Sequence, residues 1–451
     1  MSFLDSSSHE CLKSELDIFQ LPPTQTSIES GHFTRYYPNT SLDKEGPLDF
    51  TIRSGNTDFI DPQNIFLYTK SRILDTNGAV LARNADNSIP DKACVFPLNY
   101  FHATRYKNLE VYLNGKLIST NDNLYAYHSY IEAMLSFPKE TKDIQLASSL
   151  FYKDVGGNFD DYDLADDARH NKNKGAERRW FLSRFSQSFE GLGRLHSGIF
   201  NQPKLLPNNC TLTIKLTRGD HQFCLMGKVE GHRYQVVIDE AFLLVCHKRV
   251  SDSIRIAQEL ALNKSHAKYA IRKSVVRFFT KASGVADLSE QNLVNGILPR
   301  RIIVGLVETA AFHGLYRRNP FDFKHFNVSE VVLRLDGNPI PFETIKTDFA
   351  RKCHLQGYLS LLQATGRLMG QNGLDIHPFN DYPNGSALYG FDITPDFSES
   401  PTFNLLKEGK IGISISLNTP HDNSITLVCY LEYDTVLEID KDRRIIYDNI
   451  G

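Results

Sequence analysis

Hydrophobic and polar residues alternate with period two over many short stretches of this chain, and one such stretch occurs twice. At 109–118 the run LEVYLNGKLI sets Leu109, Val111 and Leu113 on one side before Asn114-Gly115; at 331–340 VVLRLDGNPI repeats this with Val331, Leu333 and Leu335 before Asp336-Gly337. Period two predicts a half-buried strand, and Asn-Gly or Asp-Gly tolerates the positive φ of a tight hairpin. The displacement is 222 residues in a chain of 451, close to half. An amphipathic helix is predicted after each turn, with Leu124, Ile131 and Leu135 on its apolar face in the first copy and Leu355, Leu359, Leu362 and Met369 in the second. The matching order points to a duplicated domain, in which Gly115 and Gly337 superpose.

Further strands are predicted at 48–52, 65–73, 211–216 and 234–245, then at 269–279, 301–307, 412–417 and 425–439. Many short strands with few helices argue for a mainly β chain of two tandem β-sandwiches. Periodicity does not separate a jelly roll from another sandwich. The expected division is an irregular, polar N-terminal arm at 1–40, a first sandwich at 41–235 and a second at 236–451.

Composition narrows the function. Fifty Lys and Arg stand against 53 Asp and Glu, a formal charge of −3, so no charge excess draws the whole chain to nucleic acid or an anionic membrane. No run of eighteen apolar residues and no charged-then-apolar leader is present, which reads as a soluble protein without a membrane span. Seven cysteines at 11, 94, 210, 224, 246, 353 and 429 lack metal-ligand spacing and read as reduced thiols.

The search for chemistry returns absences. No two of the fifteen histidines lie closer than eleven residues, so there is no His-x-His metal motif. GLGRLHSG at 191–198 has His196 where a dinucleotide fingerprint needs its third glycine, and no GxxxxGK[ST] or GxSxG occurs. Cys246-His247 and Cys353-His354 are sequence neighbours, whereas nucleophile and base meet through the fold. Arg218-Gly219-Asp220 reads as a turn after the strand at 211–216. The dibasic pairs 178–179, 300–301 and 317–318 read as solvated faces or subunit salt links. The polar stretch 154–178 reads as a surface insertion of the first sandwich; a calcium loop starting at Asp161 fails because Ala165 and Asp166 fall where a ligand and a glycine are needed. No catalytic, cofactor-binding or metal residue is assigned, and no enzyme is expected.

Both ends of the chain carry a second signal. DIFQLPPTQTSIE at 17–29, GPLDF at 46–50 and IFLYTKSRI resemble capsid-type proteins of Polinton (Maverick) elements. LYGFDITPDF at 388–397, LLKEGKIGISISL and LVCYLEYDTVLEIDKDRRIIYD, ending at Asp448, resemble the closing segment of that family's major capsid protein. The resemblance implies a double jelly roll with short helices, related to the capsid proteins of virophages and other large icosahedral DNA viruses. It also implies homotrimeric, pseudo-hexameric capsomers in an icosahedral virion shell assembled in the host nucleus or cytoplasm. The partners it implies are further copies of the chain, a penton-type minor capsid protein of the same element, and packaged DNA through non-specific contact. Two similar sandwiches per chain fit this role, since three chains then place six similar units around a closed threefold axis. The competing reading is a tandem β-sandwich that binds a glycan or other ligand without catalysis.

Overall fold

The computed structural model describes residues 7–19, 21–43, 45–162, 172–368, 373–397 and 402–447, with the backbone alone at 341–343. The first half supplies β1 (Ile28–Tyr36), β2 (Leu48–Arg53), β3 (Asp58–Asp75), β4 (Val95–Pro97), β5 (Tyr106–Leu113), β6 (Lys116–Ser119), β7 (Phe189–Arg194), β8 (Thr211–Arg218), β9 (Leu225–Gly227) and β10 (Tyr234–Val250). These strands form two four-stranded antiparallel sheets, in the orders β1-β10-β3-β7 and β2-β8-β5-β6, beside a small β4-β9 ribbon. Alternate residues of β2 and β8 (Leu48, Phe50, Ile52; Leu212, Ile214, Leu216) are fully buried and share one core with Ile65, Leu67, Leu243 and Val245 of the other sheet. The period-two pattern thus sends one face of each sheet inward.

The second half supplies β11 (Ala267–Lys281), β12 (Asp287–Ile297), β13 (Arg301–Glu308), β14 (Phe323–Lys324), β15 (Val328–Leu335), β16 (Asn338–Lys346), β17 (Asn384–Gly385), β18 (Leu388–Asp392), β19 (Glu408–Leu417), β20 (Ile425–Ile439) and β21 (Ile445–Tyr447). Its sheets run β11-β20-β13-β18, with β21 added to β20, and β12-β19-β15-β16. Each strand answers one in the first half: β11 to β1, β20 to β10, β13 to β3, β18 to β7, and likewise across the other sheet. Two four-stranded sheets with strands exchanged between them in this order are a jelly roll, so the chain is a double jelly roll. Asn114-Gly115 joins β5 to β6 and Asp336-Gly337 joins β15 to β16. All four turn residues have positive φ, 47° and 80° in the first turn and 49° and 87° in the second, so the two glycines occupy equivalent hairpins.

Several expectations change. The boundary at 235/236 falls inside β10, which pairs with β3 from Tyr234 to Arg249 and with β1 up to Val250. The pairing of one long strand overrides the half-length division. The arm expected at 1–40 contains β1, whose exposed, polar residues hide its strand character; β1 is held by backbone pairing with β10, not by a buried face.

Four helices matter below: α1 (Tyr125–Ser136), α2 (Lys174–Ser183), α3 (Asp252–Leu262) and α4 (Leu355–Ala364). In α1 every residue from Tyr125 to Leu135 is buried except Glu132, which is half-buried, because the second jelly roll lies over it. Tyr130 stacks on Phe321 at 4.2 Å between ring centroids, and Tyr127 meets Phe312 and Phe321 at 5.4 and 5.5 Å while its Oη donates to the Pro320 carbonyl at 3.0 Å. In α4 the face expected to be apolar core is divided: Leu362 is half-buried and packs against the core, and the rest of the buried side is made of other residues. Gly357, Ser360, Leu361 and Ala364 are buried there, while Leu355 and Leu359 are exposed and Met369 lies outside the described residues.

The stretch 154–178 is not simply a surface loop. Residues 163–171 lie outside those described, but both flanks carry buried residues among exposed ones: Asp154, Phe159, Asn173 and Ala176, followed by Arg179. Arg179, fully buried on α2, pairs with Asp154 (Nη2 to Oδ1, 2.6 Å) and donates Nε to the Pro97 carbonyl and Nη1 to the Tyr152 carbonyl, at 3.0 and 2.5 Å. Asn173 Nδ2 donates to the same Asp154 oxygen at 2.8 Å, and Asn319 of the second jelly roll reaches its other oxygen at 3.4 Å. Polarity here means mutual pairing, not exposure.

Removing one member of a buried ion pair strands the other charge. We therefore predict that Arg179→Met lowers unfolding stability by about 3–5 kcal/mol, whereas Val80→Ala, at an exposed site, changes it by less than about 0.5 kcal/mol. Urea unfolding checks this, and equal small effects would remove the pair from its structural role.

Candidate functional site

The polar cluster with the strongest look of a reaction centre lies where α1 meets the connection from β7 to β8. Tyr100 Oη and His196 Nε2 are 2.6 Å apart, and His196 Nδ1 lies 3.3 Å from Glu132 Oε2. His128 Nε2 is 3.7 Å from the same oxygen, and Asn201 Nδ2 donates to Glu132 Oε1 at 2.9 Å. Burial pushes the Glu132 carboxyl up, but the charge and hydrogen bond of His196, with His128 and Asn201, hold it down at about 2. Burial lowers His128 to about 4. A hydroxyl, an imidazole and a carboxylate in series are a base-orienting arrangement. Here, however, burial raises Tyr100 well above its ordinary value, and its ring is packed edge-on against Phe151 and His196. The tyrosine is 1% exposed, so the hydroxyl at the head of the series faces protein and not a substrate. Beside the cluster an open groove of about 490 Å³ separates the jelly rolls, bordered by Glu132, Arg272, Arg301 and Glu432; Arg272 and Arg301 pair with Glu432 at 3.7 and 3.5 Å. The polar contacts pin α1 to the 195–210 connection within the first jelly roll, and the His128 ring lies 5.7 Å from that of Tyr430 in the second.

Other residues singled out in the sequence have structural partners. Gly191 and Gly193 accommodate neighbours, not a phosphate: a Cβ on Gly191 would stand 2.5 Å from His102 Nδ1, and one on Gly193 would collide with Ser149 Oγ. The dibasic pairs divide: Arg179 and Arg300 are buried, whereas Arg178, Arg317 and Arg318 are exposed, as the solvated-face reading expects. Arg179 is described above; Arg300 lies 3.8 Å from Asp434, Arg317 donates to the Lys228 carbonyl, and Arg318 pairs with Asp160 at 3.0 Å. Arg218-Gly219-Asp220 is not a hairpin turn: the Gly219 amide donates to the Arg105 carbonyl at 2.7 Å, and Asp220 leads into a single helical turn at His221–Cys224. His247 contacts Tyr36 at 3.0 Å, and His354 donates to the Pro378 carbonyl at 2.9 Å, so neither serves the adjacent cysteine. All seven cysteines are free thiols. Among the described residues no group of three His, Cys, Asp or Glu is placed to hold a metal ion, and no helix is long and apolar enough to cross a membrane.

Sequence reasoning missed Lys142, which is buried and, among the described residues, has no carboxylate within salt-bridge distance. Its Nζ donates to the Met134 and Leu374 carbonyls at 2.6 and 2.8 Å, tying the end of α1 to the second jelly roll, and burial lowers its pKa to about 8. The KETKD stretch around it carries no signal of that burial.

The exposed surface also carries large apolar side chains. Leu12, Leu16, Ile18, Phe19 and Leu21 stand out from the segment before β1, with Phe19 and Leu21 at 91% and 90% exposure, and a second group lies on α4 and at 403–406. Where such side chains form one patch they mark an interaction site.

No family model matches the chain. An uncharacterized protein of Caenorhabditis elegans, F54H12.2, is 24% identical over 440 residues, which span 95% of this chain and 100% of the relative. Among solved structures, a chain of the Sputnik virophage in its 3.5 Å cryo-EM structure is similar over 100% of this chain and 95% of its own, at 11% identity and a TM-score of 0.64. The mavirus major capsid protein is similar over 99% of this chain and 97% of its own, at 10% identity and a TM-score of 0.54. The Faustovirus major capsid protein is similar over 94% and 93%, at 8% identity and a TM-score of 0.55. The chain therefore has the double jelly-roll fold of viral major capsid proteins.

The buried imidazoles set a pH dependence. Burial lowers His102 to about 3 and His128 to about 4 from an ordinary 6.5. Between those values and 6.5 the unfolded chain binds more protons than the folded one, so stability rises with pH across the window and is lost as pH falls through it. Glu132 extends the loss in the same direction below 4.5. Asp322, raised by burial to about 7, acts in the opposite direction between 3.8 and 7, one group against two histidines. We predict a urea midpoint that falls from pH 6.5 to 4.5, and a shallower fall in His102→Gln/His128→Gln, by up to about 1.4 kcal/mol per pH unit for each histidine. An unchanged slope in the double variant would rule these two groups out.

Proposed function

We propose that this chain is the major capsid protein of a Polinton-type element, a structural protein without catalysis that forms homotrimeric, pseudo-hexameric capsomers of an icosahedral shell. The observation that carries this reading is the repetition itself: two jelly rolls with one strand plan, matched over the full chain by a Sputnik virophage chain. Three such chains place six similar units around a threefold axis, which suits a hexagonal lattice. The domain division we propose follows the strands, the first jelly roll from β1 to β10 and the second from β11 to β21, with α3 between them. The partners are further copies of the chain, a penton-type minor capsid protein and packaged DNA by non-specific contact, and the place of action is the virion. The exposed leucines and aromatics before β1 fit a segment that gains order by packing on a neighbouring capsomer.

Light scattering of the purified chain should give a trimer at micromolar concentration, and electron microscopy of assembling samples should show shells. A stable monomer with affinity for glycans would favour the ligand-binding alternative instead. Deleting residues 1–26, which leaves β1 whole, should preserve trimers and reduce shells at least several-fold. Equal loss of both would assign the segment to the trimer.

A further inference from the structure

The shared strand plan gives each surface of one jelly roll a counterpart on the other. On the first jelly roll, α1 and residues 198–205 form a face that the second jelly roll covers. Its edge strand β11 lies against this face: Tyr269 Oη donates to the Leu205 carbonyl at 2.9 Å, Lys204 Nζ donates to the Lys268 carbonyl at 2.9 Å, and Gly198 approaches Arg272 so closely that a Cβ would collide with its carbonyl.

The counterpart face on the second jelly roll is built from α4, which follows the equivalent hairpin, and from the connection between β18 and β19, the equivalents of β7 and β8. No described residue covers it. Leu355 and Leu359, one turn apart on α4, are 48% and 42% exposed, and Leu405 and Leu406 in the connection are 87% and 68% exposed. These leucines do not have the option of turning inward. A Cβ on Gly357 would stand 2.5 Å from Tyr382 Oη, and one on Gly390 would stand 2.6 Å from the Ala364 Cβ, so the inner face of α4 is already closed against β18. The counterpart of β11 is β1, likewise an edge strand, with residues 29–33 all exposed and Phe33 at 53%.

We propose that α4 and residues 402–407 of one subunit are the docking site for the β1 edge of the first jelly roll of a second copy of this chain. The contact between subunits repeats the contact within the chain. It is heterologous, since different surfaces meet, and such a contact makes a ring when its rotation closes. The inference rests on the capsomer reading and names the surfaces that close the capsomer.

The test compares the full chain with Leu355→Asp/Leu359→Asp by size-exclusion chromatography with light scattering and far-UV circular dichroism. The expected result is a trimer for the parent, at least a tenfold loss of trimer at equal concentration for the double variant with unchanged circular dichroism, and a trimer for Val80→Asp, an exposed apolar site elsewhere. A folded double variant that stays trimeric overturns the docking face and leaves the capsomer reading standing. A monomeric parent overturns both. Should the double variant misfold, Leu359→Cys in a Cys11→Ser/Cys353→Ser background, carrying a cysteine-directed photo-crosslinker, decides instead. In mixed isotope-labelled samples the crosslinks should join residue 359 to peptides of 28–36 from another copy, and crosslinks to other segments only would overturn the assignment.

Discussion

The structure depends on the burial of one helix between two β-sandwiches. A jelly roll made of two four-stranded sheets can enclose its own core, but it cannot also enclose a helix lying outside the sheets. In the first jelly roll α1 carries Tyr127, Tyr130 and Met134 on such an outer surface, and Phe312, Phe321 and Phe323 of the second jelly roll bury them. Offset and edge-on aromatic pairs add about 0.5–1.5 kcal/mol each to the burial of the rings. Once the rings meet, every polar group at the seam must find a partner or cost about 1–3 kcal/mol. Lys142 finds carbonyls, Glu132 finds His196 and Asn201, and Arg179 finds Asp154 with two carbonyls.

That constraint accounts for the polar clusters that resemble chemistry. A carboxylate beside two histidines, a fully buried arginine and a lysine among carbonyls would each be candidates for function if they faced a cavity. Here they join residues far apart in sequence: Lys153 reaches Asp375 and Asp381 at 3.3 and 2.8 Å, and Lys324 reaches Glu308 at 2.8 Å and Asp160 at 3.5 Å. Lys153, Arg318 and Lys324 thus hold the two halves in one arrangement. The exposed surface keeps, besides its charged residues, large apolar side chains with no such partners in the cores.

The alternation of apolar residues made the long inner strands legible, and Asn-Gly and Asp-Gly located both hairpins, because each signal depends only on local geometry. The stretch 425–439 is the strand it was read to be. What failed depends on contacts distant in sequence. β1 carries no apolar face and exists because β10 offers it a backbone edge. The polar flanks of 163–171 looked solvated because Asp154, Asn173 and Arg179 satisfy one another only after the chain has folded back. The glycines of GLGR are set aside as a phosphate loop because His196 breaks the pattern, but nothing in the sequence says what they are for; the His102 ring and the Ser149 hydroxyl that require them lie roughly forty to ninety residues earlier in the chain.

The two copies have diverged in one informative way. Both jelly rolls kept the strand order, which the cores require, but their helices parted: α1 is buried nearly throughout and rich in aromatics, while α4 is shorter and packs through Ser360 and Ala364 onto Gly390 and through Gly357 onto Tyr382 and Tyr389. A helix seated on small residues sits close to its sheet and leaves its longer side chains on the far side. If α4 served only the fold of its own jelly roll, nothing would oppose polar residues at 355 and 359, since exposed leucines at those positions add no core burial and raise the risk of aggregation. Their presence at the position where the first copy binds a sandwich makes the second copy a binding surface as well, with the difference that its partner is not in the same chain.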